Sequence, residues 1–219
     1  ETAARRFTIF IFVAMMAFNM QDLILEPFAG IVFGMTPGQS TSLGGMQNGG
    51  ALIGMIVAGI GGSAFAGRMP FDLRHWIGFG CLGSALALVG LASGAVVGPG
   101  WPIHANVIVL GLCTGVFTVA AIGAMMGLAG AGETTREGVR MGVWGAAQAI
   151  AFGLGGFVGA QGRDTALWLL GDEGAAFQLV FTAEAALFVL AAVLAWRAVQ
   201  ASTAHPARTL RDHENEVFA

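Results

Sequence analysis

The chain contains no lysine, and only 11% of its 219 residues are charged. A soluble domain of ordinary composition has about 25%, so a solvated globular surface is excluded. With 56% hydrophobic residues and a mean hydropathy of +0.75, this is an integral membrane protein. The net charge of −3 says nothing useful about partners, and no nucleic acid is expected. The two cysteines, Cys81 and Cys113, lie in apolar runs and read as small buried hydrophobes, not a disulfide or metal pair. The first apolar run is too long, and too directly followed by others, for a cleavable signal peptide.

Six apolar stretches reach the ~20 residues that a bilayer crossing needs. They are Phe7–Met35, Thr41–Gly67, His75–Val97, Ile103–Ala131, Met141–Gln161 and Phe177–Ala198. The expected fold class is therefore an all-α membrane protein with six transmembrane helices. The bundle occupies residues 1–198, and a polar cytoplasmic tail occupies residues 199–219. An even number of spans places both termini on one side.

All ten basic residues are Arg, and they fix the expected side. Arg5 and Arg6, Arg68 and Arg74, Arg136 and Arg140, and Arg197, Arg208 and Arg211 all belong to one face. The other face has only Arg163. Cytoplasmic loops carry the excess of Arg and Lys, so both termini are expected in the cytoplasm. The opposite loops Thr36–Ser40 and Gly98–Pro102 are uncharged, and the third holds Arg163, Asp164, Asp172 and Glu173. Within it, Ala166–Leu170 reads as a short interfacial helix. Trp76, Trp144 and Trp196 fall near cytoplasmic span ends, and Trp101 and Trp168 near outer ends, as interfacial Trp should.

Catalytic patterns are missing. Gly78, Gly80 and Gly83 match Gly-x-Gly-x-x-Gly, but they sit inside a span without the strand and acidic residue of a dinucleotide fold. No metal-ligand spacing and no nucleophile–base arrangement occurs, so no enzyme is expected.

Polar residues inside the spans are the candidate sites. Asn19, Asp22 and Glu26 share one helical face in the first span, with Gln21 beside them. Charged groups at membrane depth usually face a bundle interior or a wet cavity. Two readings stand: interfacial capping, or a buried functional stripe that contacts Gln47 or Asn48 of span two. Pro27 should kink or break the first span. Gln148 lies in span five, and Glu184 a third of the way into span six from its outer end. Amides in spans often only cross-link helices, and a buried carboxyl can be kept neutral. His104 is either a solvated interfacial residue or an axial ligand to a tetrapyrrole metal. Glycine numbers 35, and Gly45/Gly49, Gly50/Gly54 and Gly155/Gly159 have the four-residue spacing of close helix contacts. These pairs serve tight packing, a rocking helix pair, or a floor for a flat ligand.

Two long segments carry a family resemblance. The first is Met20-Gln21-Asp22-Leu23-Ile24-Leu25-Glu26-Pro27-Phe28-Ala29-Gly30, with Val32-Phe33-Gly34 and Thr36-Pro37-Gly38-Gln39-Ser40-Thr41. The second runs from Met141-Gly142-Val143-Trp144 through Gln148 to Phe152-Gly153. Both resemble the PucC/LhaA family, light-harvesting assembly factors placed among the major facilitator transporters. The resemblance implies a twelve-span protein in two six-helix halves, of which this chain corresponds to the C-terminal half. Its opening at Glu1, directly on a span, fits that expectation, with an N-terminal six-helix half as the missing partner. It further implies bacteriochlorophyll as cargo or bound ligand, with no intrinsic cofactor. The implied partners are the lipid bilayer and either antenna polypeptides or a reaction-centre core complex, in a bacterial inner or intracytoplasmic photosynthetic membrane. Two alternatives remain from the residues themselves. One is a proton-coupled transporter of a small amphipathic solute, using Asp22, Glu26 or Glu184. The other is a non-transporting scaffold for antenna assembly.

Overall fold

A computed structural model describes residues 2–64, 73–130 and 137–203. Seven α-helices and one 3-10 turn follow one another: α1 (Thr2–Met20), α2 (Leu25–Phe33), α3 (Pro37–Ala64), α4 (Leu73–Val97), the 3-10 turn Gly98–Gly100, α5 (Ile103–Gly130), α6 (Glu137–Leu170) and α7 (Glu173–Thr203). Six stretches of the described residues are long and apolar enough to cross a membrane, and the first is built from α1 and α2 together. The protein is an all-α membrane protein. The tail from residue 204 and the loops carrying Arg68 and Arg136 lie outside the described residues.

Turn chemistry sets the helix ends at the short-turn end of the bundle. Gly34 closes α2 in the left-handed region (φ 66°), where glycine meets no steric penalty. Thr36 then opens α3: its backbone N–H donates to Gln39 Oε1 at 2.9 Å, a capping box with Pro37 at the first helical position. This cap draws Gly38–Ser40 into the helix, so α3 begins four residues before the expected span and Ser40 is buried. Between α6 and α7, Gly171 takes φ 68°, and Asp172 Oδ2 accepts the Ala175 N–H at 2.7 Å. The segment Ala166–Leu170 is no separate interfacial helix; it continues α6, because nothing between Gln161 and Leu170 interrupts the ladder.

Packing is uneven. Helix α3 lies along α5, α4 lies between α5 and α7, and α1 lies against α6 and α7. The α3–α5 contact is glycine against backbone from both sides. A Cβ at Gly50 or Gly54 would overlap the carbonyls of Ile108 and Leu112, and one at Gly111 or Gly115 those of Gln47 and Ala51. Gly155 and Gly159 of α6 meet the Met16 and Met20 carbonyls of α1 in the same way. Close approach of small residues supplies the dispersion contacts that hold helices together in lipid. The pair Gly45/Gly49 has nothing within 4 Å and is exposed. In an apolar 18-residue stretch of the α3 and α6 spans, 28% and 22% of the residues are buried, against 56% in those of α4 and α5.

The aromatic residues divide similarly. Phe10, Phe117 and Phe188 stack edge-on across α1, α5 and α7. Trp144 is no membrane-interface anchor: it is buried, and its indole N–H donates to Thr8 Oγ1 at 3.1 Å. The N–H finds an internal partner, so the ring need not stay at the headgroups. Trp101 is half-buried and donates to Asn106 Oδ1, whereas Trp168 and Trp196 are exposed.

Candidate functional site

The first span is discontinuous. The α-helical ladder ends at Met20 and resumes at Leu25. In the gap, the Gln21 carbonyl accepts the N–H groups of both Ile24 (3.1 Å) and Leu25 (2.9 Å). The break was expected at Pro27 but falls one turn earlier. Pro27 sits in the first turn of α2, where a missing N–H costs little, and its ring crowds the carbonyl of the residue four positions before it. The strain is relieved in the preceding residues, 21–24.

This irregular turn decides which side chains point inward. Gln21 is fully buried, whereas Asp22 and Glu26 are exposed. Asn19 is half-buried, and its amide donates to Met15 O of its own helix at 3.0 Å. The interior-facing stripe is therefore not formed. Asp22 and Glu26 do share a face, but it is the open one, and no hydrogen bond among the described residues joins them to Gln47 or Asn48. The reason is the phase of the helix: α1 packs its other side into α6 and α7, and α3 is engaged with α5.

Glu184 of α7 is fully buried. It lies eleven residues into the 24-residue span Glu173–Trp196, so it sits near mid-depth rather than in the outer third. The span starts earlier than Phe177 because Asp172 caps α7 there. Gln21 is likewise midway, thirteen residues into the 26-residue span Thr8–Phe33. Aromatic layers bracket this level. On one side Phe28 packs on Phe177 (5.2 Å) and Phe181 (4.9 Å); on the other stand Phe10, Phe117 and Phe188. Asp22, next to Gln21, is the ionisable side chain whose field reaches Glu184. Both Glu184 carboxylate oxygens, and both the oxygen and nitrogen of the Gln21 carboxamide, lack a hydrogen-bond partner among the described residues. Buried polar groups are almost always paired, so four orphaned atoms on two buried side chains mark places where a partner is wanted.

The other candidates are dispersed. Gln47 is buried in α3, Asn48 exposed beside Gly45 and Gly49, Gln148 half-buried in α6, and His104 exposed at the start of α5. The structure gathers neither these residues nor Glu26 around the Gln21–Glu184 seam. Sequence reasoning missed a cavity of about 520 Å³ at the short-turn end, lined by Ile31, Val32, Val96, Asp172, Glu173 and Gln178. Beside it, the Arg163 guanidinium donates to Asp164 (2.9 Å) and Glu173 and lies 5.2 Å over the Phe177 ring. All four charges of that loop were visible in the sequence, but the convergence of Arg163, Asp164 and Glu173 needed the α6–α7 turn.

Over 201 residues the chain is 51% identical to the "Bacteriochlorophyll synthase 44.5 kDa chain" of Rhodobacter capsulatus, covering 92% of this chain and 46% of that protein. It is 31% identical over 189 residues to "Protein PucC" of Cereibacter sphaeroides, covering 82% of this chain and 38% of that protein. An "Uncharacterized protein in puhA-bchM intergenic region" of Rhodobacter capsulatus is 33% identical over 166 residues, 75% of this chain and 33% of that protein. The chain thus spans less than half the length of these relatives. The model of the PUCC protein family matches residues 1–203, and the chain belongs to that family.

Proposed function

We propose that this chain is part of a carrier that receives bacteriochlorophyll and delivers it during assembly of a light-harvesting complex. The observation that carries this reading is the 51% identity, across 92% of the chain, to a relative whose name ties it to bacteriochlorophyll. The form of the bundle supports it. The open faces of α3 and α6 are apolar and glycine-rich, with Leu52, Ile53, Ile56 and Ile60 exposed on α3. Such a face suits a flat macrocycle with a long apolar tail better than a hydrophilic solute. Asn48, next to Gly49, offers a polar contact there. We assign the role to binding and transfer rather than catalysis, since the sequence lacks a nucleophile–base or metal-ligand pattern. The relatives carry more than as much chain again, and the same open faces are the surface we assign to an N-terminal six-helix half. We assign both ends of this six-span stretch to the cytoplasmic side, a reading that the Arg distribution supports.

The test is an absorption spectrum of the gently purified full-length protein from phototrophic cells. A bacteriochlorophyll band in stoichiometric amount, diminished by Gly49→Phe, is the expected result. Pigment no greater than on an unrelated membrane protein from the same cells would overturn the carrier reading. Antenna polypeptides co-purifying without pigment would replace it with the scaffold reading.

A further inference from the structure

Where α1 packs on α7, the described residues hold a costly arrangement. A carboxyl group and a carboxamide are both at 0% exposure, near mid-depth, with all four side-chain polar atoms unpartnered among the described residues. An isolated ionised carboxylate in an apolar medium is prohibitively unfavourable; it persists only when a positive charge neutralises it. The nearest described cation at the short-turn end, Arg163, is committed to Asp164, Glu173 and the Phe177 ring. Asp22 adds negative rather than positive potential at Glu184. Of the other described ionisable groups on or beside the packed helices, Glu26, Asp164, Asp172 and Glu173 are again acidic; Arg5 is exposed near the start of α1, at the opposite end of that helix from Gln21, and His75 stands at the far end of α4.

We propose that Glu184 and Gln21 form a binding site for one monovalent cation, a proton or a sodium ion, at the break in the first span. The charge count selects the valence. One buried carboxylate balances one positive charge. No group of three or more His, Cys, Asp or Glu among the described residues is placed to hold a metal, and hard divalent ions demand several oxygen ligands with more than one carboxylate. The broken helix supplies the setting: discontinuous membrane helices turn backbone and side-chain oxygens toward small cations. Gln21 contributes its carboxamide oxygen to a sodium ion. With a proton on Glu184, it accepts from the acid O–H and donates its own N–H groups. Asp22, exposed one residue away and electrostatically linked to Glu184, is the entry point, since it raises the local cation concentration at the mouth of the seam. This site is separate from the open α3 and α6 faces, and it does not depend on pigment binding.

The experiment uses the full chain in lipid nanodiscs, without pigment, comparing the unmodified protein with Glu184→Gln and Asp22→Asn. Infrared difference spectra across a pH series read the carbonyl band of a protonated carboxylic acid. Thermal unfolding at constant ionic strength, with sodium replaced stepwise by choline, reads sodium binding. A proton site gives a carboxylic-acid band at neutral pH that Glu184→Gln removes and Asp22→Asn moves along the pH axis. A sodium site gives a sodium-specific rise in unfolding temperature that Glu184→Gln abolishes and Asp22→Asn weakens severalfold. Should Glu184→Gln not accumulate, Glu184→Asp keeps the charge on a shorter stem: a shifted band or weakened sodium response supports the site, and unchanged behaviour overturns it. The proposal is also overturned if neither a Glu184-dependent acid band nor a Glu184-dependent sodium response is seen at any pH.

Discussion

Helix α3 carries two glycine pairs of identical spacing with opposite surroundings. Gly50/Gly54 is pressed against the α5 backbone, while Gly45/Gly49, on another face of the same helix, touches nothing. The spacing states only that a backbone can come close. Whether one does is a property of the neighbour. The polar residues of the first span divide the same way: Gln21 is sealed in the α1–α7 seam, and Asp22, one residue on, is exposed. The molecule thus has a closed side, where small residues and polar atoms are spoken for or conspicuously unpartnered, and an open side on α3 and α6 where similar residues face outward.

The sharpest way to break this comparison is to fill a glycine on each side. Gly54→Val places branched carbon on the Leu112 carbonyl, which belongs to helical backbone and cannot move aside. The cost is expected at about 3 kcal/mol or more, the upper end for overpacking, and the variant should be nearly absent from membranes. Gly49→Val meets open space and should accumulate normally. Equal levels of the two would mean that the α3–α5 contact is not the one described.

Tryptophan provides a smaller contrast. Trp144→Phe deletes the indole N–H that donates to Thr8 Oγ1. A loss of about 1–2 kcal/mol is expected from the hydrogen bond and the vacated volume, read as a lower unfolding temperature in detergent. Trp168→Phe, at an 82% exposed position, should leave that temperature unchanged. The smallest effect belongs to Arg163. Its partners Asp164 and Glu173 are themselves substantially exposed, and exposed pairs contribute at most about 1 kcal/mol. Arg163→Met should lower the unfolding temperature slightly, and less in high salt than in low. A loss as large as that of Gly54→Val would show that the α6–α7 turn is a keystone rather than a clasp.

Much of the architecture was legible because membrane insertion is governed by composition and length. Backbone groups in lipid must pair within their own segment, so every long apolar run becomes a helix wherever its neighbours lie. The six crossings follow from that, but the turn between α6 and α7 does not: the expected ends at Gln161 and Phe177 give way to Leu170 and Glu173, set by Gly171 and the Asp172 cap. The cap at Thr36 was equally local, a threonine followed three residues later by a glutamine. It simply places the start of α3 earlier than hydropathy does.

What the sequence by itself determined, then, is the helical inventory: six apolar runs of membrane length and their order along the chain. What only the tertiary structure decided is the direction each polar or small residue faces. Gln148, Asn48, Gln47 and Gln21 are all amides within apolar runs, yet only Gln21 is orphaned in a buried seam opposite Glu184's helix. Helical phase across the break at residues 21–24, and the choice of α6 and α7 as neighbours of α1, set that outcome. Both depend on contacts between residues more than a hundred positions apart, such as Gly159 on Met20. Local periodicity carries no information about such contacts, because in lipid an apolar neighbour and an apolar solvent look alike to a single helix.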